Sequence, residues 1–122
     1  MTVVEYIGGS AGSSLAMIWA KKVYKAHFIS SNGFAKEKLQ AMKAFGASVE
    51  IIHAENGILT AFLIKRMITR AKKLIQDPNT LWPEQINNME NKLGYHKMTQ
   101  AIIEEIGTGK LHCLPRLMWG TV

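Results

Sequence analysis

Short apolar runs alternate along the chain with longer segments whose apolar residues recur at helical spacing. The first run, Val3–Tyr6, is typical of a buried strand. A turn with three glycines and three serines follows it. Beyond the turn, the sequence predicts a helix from Ser13 whose apolar face carries Leu15, Ile18, Trp19 and Val23. The chain therefore opens with a strand, a glycine-rich turn and a helix.

The next two strands and one helix have equally regular patterns. The segments "AHFISS" and "SVEIIH" predict the second and third strands. Between them, "AKEKLQAMKAFGA" predicts a helix with an apolar stripe of Leu39, Met42 and Phe45, and Gly46 is placed to end that helix.

A longer amphipathic helix is predicted over residues 60–76, ending at "DPN". One face carries apolar residues and the other is largely basic. The apolar residues are Ile64, Met67, Ile68, Ala71, Leu74 and Ile75, and the basic residues are Lys65, Arg66, Arg70, Lys72 and Lys73. "TLW" then predicts a fourth short strand, "GYHKMTQAIIEEIG" a helix that ends at Gly107, and "KLHCL" a last strand.

This alternation predicts an α/β fold of order βαβαβαβαβ, with a parallel sheet and helices on both faces. We expect one domain over residues 1–114 and a divergent tail over 115–122. Ligands of such sheets bind beyond the carboxyl ends of the strands, where the loop 7–12 falls. The first turn is therefore the candidate binding site.

Composition narrows the class of protein. The chain has 122 residues, 48% of them hydrophobic, a net charge of +6 and one cysteine. It has no apolar run of the roughly 20 residues that span a bilayer and no signal-peptide pattern after Met1. We therefore expect a cytoplasmic, reducing setting and no membrane partner. The basic residues are scattered along helices, so charge alone identifies no ligand.

The turn "IGGSAGSS" has a physical reading of its own. Gly8 and Gly9 permit unusual backbone angles and close approach, and the helix that follows presents unpaired N–H groups. Such a turn can hold a carboxylate or a phosphate. It does not fit the G-x-G-x-x-G fingerprint and lacks the lysine of a Walker A loop. The alternative is a merely structural turn with Ser13 or Ser10 as the N-cap, and spacing alone does not choose between them.

Three stretches resemble one family. "VVEYIGGSAGSSLAM", "FAKEKLQAMKAFGA" and "WPEQINN" followed by "GYHKM" are similar, in order and spacing, to the cysteine synthase and cystathionine β-synthase group of pyridoxal-phosphate enzymes. A branch of that group reads E-Y-T-G-G-S-T-G-S-S-L-A in the first stretch. The resemblance covers roughly residues 2–114 and implies part of the tryptophan synthase β-like fold, namely its smaller, mobile domain.

The resemblance also implies site residues. In the family this glycine-rich loop holds the substrate's α-carboxylate, which Gly8, Gly9, Ser10 and Gly12 match, with Ser10 facing the cofactor ring. Gln85 matches a glutamine that reaches the same carboxylate. Two positions depart from the pattern, because Ile7 and Ala11 stand where the family usually has threonine. We expect weaker binding from the loss of these two hydroxyl donors.

Family chemistry needs a lysine that binds the cofactor covalently, some forty residues before this loop, and a glycine-rich phosphate loop after the last strand. Neither is expected in this chain. "GTG" at 107–109 precedes that strand instead of following it, and the tail "PRLMWGTV" departs from the family pattern. We therefore predict no catalytic residue here and no covalent cofactor. The lysines fall on predicted solvent faces: Lys21, Lys22, Lys36, Lys38, Lys65, Lys72 and Lys73.

Other candidate sites are weaker. The four histidines, His27, His53, His96 and His112, lie in separate elements, and Cys113 lies in an apolar strand, so we predict no metal site. The basic face of helix 60–76 lacks the aromatic interleaving of nucleic-acid surfaces.

Three interpretations therefore stay open. The chain is part of a pyridoxal-phosphate-dependent enzyme that replaces the β-substituent of an O-acetylserine-type substrate, or a non-catalytic module that keeps only the carboxylate loop, or, with the least support, a basic protein that associates with nucleic acid. For the first two we expect weak binding of an amino-acid carboxylate. We also expect either self-association or a complementing chain that carries the larger domain, because the family packs this domain against a larger one.

Overall fold

The structure is a computed structural model, and it describes residues 1–107. These residues divide into two compact units, 1–83 and 84–107. The predicted last strand, the tail and the boundary at residue 114 lie outside the described residues.

Strands and helices alternate through the first unit. Its elements are β1 (Thr2–Tyr6), α1 (Ser10–Lys21), β2 (Lys25–Ser31), α2 (Lys36–Ala44), β3 (Ser48–Ile52), a 3₁₀ turn (Glu55–Gly57), α3 (Ala61–Leu74) and β4 (Thr80–Leu81). The second unit contains α4 (Met89–Gly94) and α5 (His96–Ile106).

The four strands form one parallel sheet in the order β3-β2-β1-β4. β1 pairs with β2 along its whole length, from Thr2 opposite Lys25 to Tyr6 opposite Ile29, and with β4 only over Thr2 and Val3. The chain thus moves outward from β1 to β3 and then crosses back to the other side of β1. The predicted parallel α/β fold is confirmed.

Helices cover both faces of the sheet. α1 and α2 contact each other, and Val3, Trp19, Phe28 and Met42 form a buried cluster on their face. Because side chains alternate along a strand, the residues between them point to the opposite face. α3 contacts β1, β2 and β3 and covers that face, burying Leu63, Met67 and Ala71. This two-sided burial explains why β1 and β2 have nearly continuous apolar sequences.

Two helices end at the glycines that the sequence predicts, whereas α1 begins earlier than predicted. Gly46 has φ 85° and donates its N–H to the carbonyl of Lys43 (2.9 Å), while Ala47 donates to Met42 (3.1 Å), so α2 ends in a Schellman motif at the predicted glycine. Gly107, with φ 79°, is the C-cap of α5, as the sequence predicts, and its N–H donates to the carbonyl of Ile103. The predicted start of α1 at Ser13 is wrong, because the helix begins at Ser10. α4 was not predicted.

The hydroxyl of Thr60 caps α3 by accepting the N–H of Leu63 (3.1 Å). The apolar face predicted for this helix is largely confirmed, since Met67 and Ala71 are buried, and Leu63 joins them. Five cations and no acidic residue lie between Ala61 and Leu74. The basic residues are exposed except Arg70, which is half-buried.

Glu50 of β3 connects three elements on the α3 face. Its Oε1 accepts the Nε–H of Arg70 on α3 at 2.7 Å, and its Oε2 lies 3.4 Å from Nε2 of His27 on β2. The hydrogen bond from Arg70 lowers the pKa of the Glu50 carboxyl below its ordinary value of 4.5, although partial desolvation acts in the opposite direction. The pair is partly exposed, so its contribution to stability is modest.

We predict that Glu50→Gln removes a pH-dependent part of the stability. A carboxyl whose pKa is lowered by folding stabilises the folded state above its unfolded pKa, and this contribution is lost as the pH falls through the lower, folded pKa. The free energy of unfolding, measured by urea denaturation, should therefore fall less steeply in the variant between about pH 6 and about pH 3. Exposed Glu55→Gln is the control. Identical pH profiles for wild type and Glu50→Gln would contradict the prediction.

Candidate functional site

The junction between β1 and α1 forms at the carboxyl edge of the sheet. The N–H of Ile7 donates to the carbonyl of Ile29 (2.9 Å), so pairing with β2 continues one residue beyond β1. Gly9 then adopts φ 76° and ψ −149°, a combination that is essentially restricted to glycine. This residue turns the chain directly into α1, which explains why the helix begins at Ser10.

Gly9 is also the N-cap of α1, and it has no side chain with which to cap the helix. The expectation that Ser13 or Ser10 caps the helix is therefore wrong. The first N–H groups of a helix, here from Ser10, Ala11 and Gly12, have no carbonyl partner within the helix. The first turn contains no acidic side chain. An uncapped helix start of this kind favours an anion such as a carboxylate or phosphate.

The other two glycines of the loop are required by close packing. A Cβ on Gly8 would lie 2.2 Å from the ring of Phe34, and one on Gly12 would lie 2.2 Å from Cε of Met42 in the buried core. Gly12 therefore lets α1 approach α2, while Gly8 lets the segment after β2 approach the loop. Ser10 is exposed at the first position of α1, and Ser13 has a buried hydroxyl with no hydrogen-bond partner among the described residues.

The two departures from the family pattern are apolar for a packing reason. Ile7 is buried in the cluster shared with α1 and α2, and half-buried Ala11 packs against the same cluster. Apolar side chains at these positions add to the core. Neither side chain can donate a hydrogen bond, so the donors at this helix start are backbone N–H groups and serine hydroxyls.

Glu5 is a buried residue of the site region that sequence reasoning missed. It is fully buried in the central strand β1. Its Oε1 accepts the Nε1–H of Trp82 (2.9 Å) and the backbone N–H of Tyr6 (3.1 Å). The rings of Tyr6 and Trp82 meet edge to face with centroids 6.1 Å apart. A glutamate within the apolar run "VVEYI" was the available signal, because a buried carboxylate requires such donors.

Phe34 is a second residue that was missed, and a short network holds it beside Gly8. The turn that begins at Ser31 is closed by the N–H of Gly33 donating to Oγ of Ser31 (3.2 Å). The side chain of Asn32 accepts the N–H of Ala54 (2.7 Å), which ties the segments after β2 and β3 together. Three strand ends therefore support one surface around the start of α1. Phe34 has no periodic signal, since it lies outside both helix and strand.

Gln85 lies in the second unit, where its carbonyl accepts Nδ2–H of Asn91 (2.7 Å). Its predicted role at the carboxylate stays a prediction. The seven lysines predicted on solvent faces are all exposed, as are Lys25, Lys43, Lys92 and Lys97.

Residues 1–107 contain neither a cluster of metal-ligating side chains nor a candidate membrane-spanning helix. This part of the chain brings no three His, Cys, Asp or Glu side chains together to hold a metal ion. None of its helices has the length and apolar character to cross a bilayer.

Comparison with known proteins identifies the family. The profile of the family described as "Pyridoxal-phosphate dependent enzyme" matches residues 1–115. This chain belongs to that family. The family cofactor is pyridoxal phosphate, as its name states.

Individual relatives of this chain support the same family. Cysteine synthase of Helicobacter pylori strain J99 is 32% identical over 109 residues, which are 88% of this chain and 34% of the relative. A probable cysteine synthase of Bacillus subtilis is 32% identical over 110 residues, covering 86% of this chain and 33% of that protein. The chain thus spans about a third of the length of these relatives.

Solved structures show the same fold. The O-acetylserine dependent cystathionine β-synthase of Helicobacter pylori superposes with a TM-score of 0.72 at 31% identity, over 88% of this chain and 34% of that one. A hydrogen sulfide-producing enzyme designated Fn1055 superposes with a TM-score of 0.74 at 19% identity, over 90% of this chain and 32% of that one. The predicted fold and family resemblance are confirmed.

The described residues fit only part of what the cofactor requires. The uncapped start of α1 suits an anionic group. No lysine among residues 1–107 is buried, and a lysine becomes a nucleophile at neutral pH when desolvation or a neighbouring charge lowers its pKa. Residues 1–107 therefore do not fit covalent attachment of pyridoxal phosphate.

We predict that Gly9→Ala destabilises the protein by about 1–3 kcal/mol, because any Cβ is strained at this backbone conformation. The free energy of unfolding from urea denaturation measures the effect. Gly94→Ala is the matched control, since a Cβ there meets nothing within 4 Å. It lies within α4, where alanine is favoured over glycine. Equal stability of Gly9→Ala and wild type would show that the turn does not depend on glycine at position 9.

Proposed function

We propose that this chain supplies the substrate-carboxylate loop of a cysteine synthase-type enzyme that acts on an O-acetylserine-type amino acid in a reducing, cytoplasmic setting. The observation that carries the proposal is the start of α1, which is uncapped, free of acidic side chains and supported by the ends of β1, β2 and β3. The family supports the chemistry, since the relatives are named as cysteine synthases and one solved relative as O-acetylserine dependent. Pyridoxal phosphate, when bound, supplies the electron sink for chemistry at the substrate's α-carbon.

The proposed binding residues are Gly8, Gly9, Ser10 and Gly12. The backbone N–H groups at the helix start donate to the two carboxylate oxygens, and the exposed hydroxyl of Ser10 lies at the first helical position, on the side that faces the cofactor in the family. We propose Gln85 as a further carboxylate contact, by resemblance alone. The role of these residues is to hold and orient the substrate.

The expected affinity of the chain by itself is low. Each charge-assisted hydrogen bond contributes about 1.5–3 kcal/mol, and two or three are available here. Against them stands the loss of translational and rotational freedom, at least about 4 kcal/mol. The side chains of Ile7 and Ala11 add no hydroxyl donor to this total. The balance corresponds to a dissociation constant in the range of about 1 mM or weaker.

A second function is favoured by the exposure of the lysines. We propose that the chain alone acts as a carboxylate-binding module without catalysis, and that catalysis needs a lysine and a phosphate loop from another segment or chain. Alternatively, the chain associates with a second copy of itself. Apolar residues exposed on and after α1 offer a surface for this association: Met17, Ile18, Val23 and Tyr24.

We predict that O-acetylserine shifts the backbone amide resonances of Gly9, Ser10 and Gly12 in an NMR titration of the full chain, with half-saturation at about 1 mM or above. Gly9→Val should abolish the shifts, because the turn that presents the N–H groups is lost. The dispersion of the remaining spectrum shows whether this variant is folded, and the milder Gly9→Ala replaces it if not. Shifts located away from residues 8–14, or none at all, would refute the carboxylate site.

We predict that pyridoxal phosphate forms no specific covalent adduct with this chain. After incubation and borohydride reduction, peptide mapping should show low, scattered labelling of exposed lysines, because none among residues 1–107 is desolvated. A single lysine labelled to stoichiometry would contradict the prediction and restore a covalent cofactor site. This result would be independent of the carboxylate titration.

A further inference from the structure

A shallow groove with a basic wall runs beside α3, and its residues are distant in sequence from the glycine-rich loop. Ile52 of β3 forms one side, and one flank of α3 forms the other. Its volume is about 340 Å³. We call this surface the basic groove; its α3 residues are Phe62, Lys65, Arg66, Thr69, Arg70 and Lys73.

The groove adjoins the edge of the sheet. β3 is the outermost strand on its side, and within the described residues no strand pairs with its outer edge. Each of its residues is at least partly exposed. An edge strand presents a row of unpaired N–H and C=O groups, which is a template for another extended chain. A strand added beside β3 would direct every second side chain towards the α3 side of the sheet.

The charges on that side are unbalanced. Arg70 bonds Glu50, whereas Lys65, Arg66 and Lys73 have no acidic partner in the part of the chain that the structure describes. Arg66 and Arg70 are four residues apart on α3, and Arg70 and Lys73 are three apart, so they repel one another. Negative charges in the groove would relieve this repulsion. The groove therefore complements an acidic ligand.

The shape favours an extended peptide over nucleic acid. The cations line a shallow groove between α3 and Ile52 of β3, and Phe62, 71% exposed, is the one aromatic side chain that the described residues contribute to the lining. Single-stranded nucleic acid is usually held by several stacking aromatic residues. Phe62 and Ile52 instead offer apolar surface to the methylene groups of acidic side chains that enter the groove.

We propose that the basic groove binds an extended acidic segment of a partner protein, which pairs with the outer edge of β3 and places acidic side chains against Lys65, Arg66 and Lys73. The apolar side chains of that segment point to the opposite face of the sheet, the side of Val49 and Ile51. This is an interaction surface separate from the carboxylate loop, and it does not depend on the proposed activity.

The test uses the full chain and a fluorescein-labelled peptide of about eight residues that alternates glutamate and valine, a length typical of strands. Binding is measured by fluorescence anisotropy. Arg66→Glu/Lys73→Glu should weaken binding about tenfold, because two attractive contacts become repulsive. Lys36→Glu/Lys38→Glu on α2 changes the net charge equally and should leave the affinity nearly unchanged. All four residues are exposed, and thermal unfolding checks that both variants fold.

Two further probes separate strand addition from other binding. A peptide methylated on its backbone nitrogens keeps the charges but cannot donate to β3, so it should bind much more weakly. An equal loss of peptide affinity in both charge variants would show that only the net charge attracts the peptide, and it would overturn the proposal. Equal binding of the methylated peptide would exclude pairing with β3. Tighter binding of oligothymidylate than of the peptide at the same groove would overturn the proposal and identify a nucleic-acid surface. Dimers in sedimentation that Arg66→Glu/Lys73→Glu dissociates would identify a second copy of the chain as the occupant instead.

Discussion

The pairing of β1 with β2 on one side and β4 on the other is the constraint on which the first unit depends. Since the sheet is built outward from β1 and then continued on its other side, the crossover helices must lie on opposite faces. Both faces of β1 are thereby buried. The loop that leaves its carboxyl end lies where the direction of winding reverses, which is where α/β sheets bind ligands. The position of the candidate site follows from strand order.

The glycine loop shows how one sequence feature can serve several physical purposes. Gly9 is required by its backbone angles, Gly8 by the ring of Phe34 and Gly12 by the approach of Met42. Only the first of these turns the chain so that helix N–H groups face outward. The other two let Phe34 and Met42 pack closely against that turn. Close packing of this kind suits a site that relies on the backbone, because an anion is bound well only where its donors are fixed in advance.

Charge is distributed unevenly over the first unit. On the α3 face, one carboxylate, Glu50, satisfies Arg70 and lies beside His27, and so joins β2, β3 and α3. The remaining cations of α3 lie outside this cluster. On the other side of β1, Glu5 is buried with Trp82 and Tyr6 as donors. These two carboxylates, Glu5 buried and Glu50 half-buried, thus fix elements to one another, whereas the exposed cations leave the groove with excess positive charge.

The sequence by itself determined the fold class, the four strands and the main helices, because apolar periodicity reports burial directly. It also determined the helix end at Gly46 and the candidate loop. Tertiary structure decided where α1 begins. A serine was expected to cap the helix, but the positive φ of Gly9 turns the chain so that the helix begins at Ser10. Tertiary structure also decided the roles of Phe34, Glu5 and Trp82, whose contacts join residues distant in sequence. Local patterns encode which side of an element is buried; they do not encode which distant side chain fills the space or accepts the hydrogen bond.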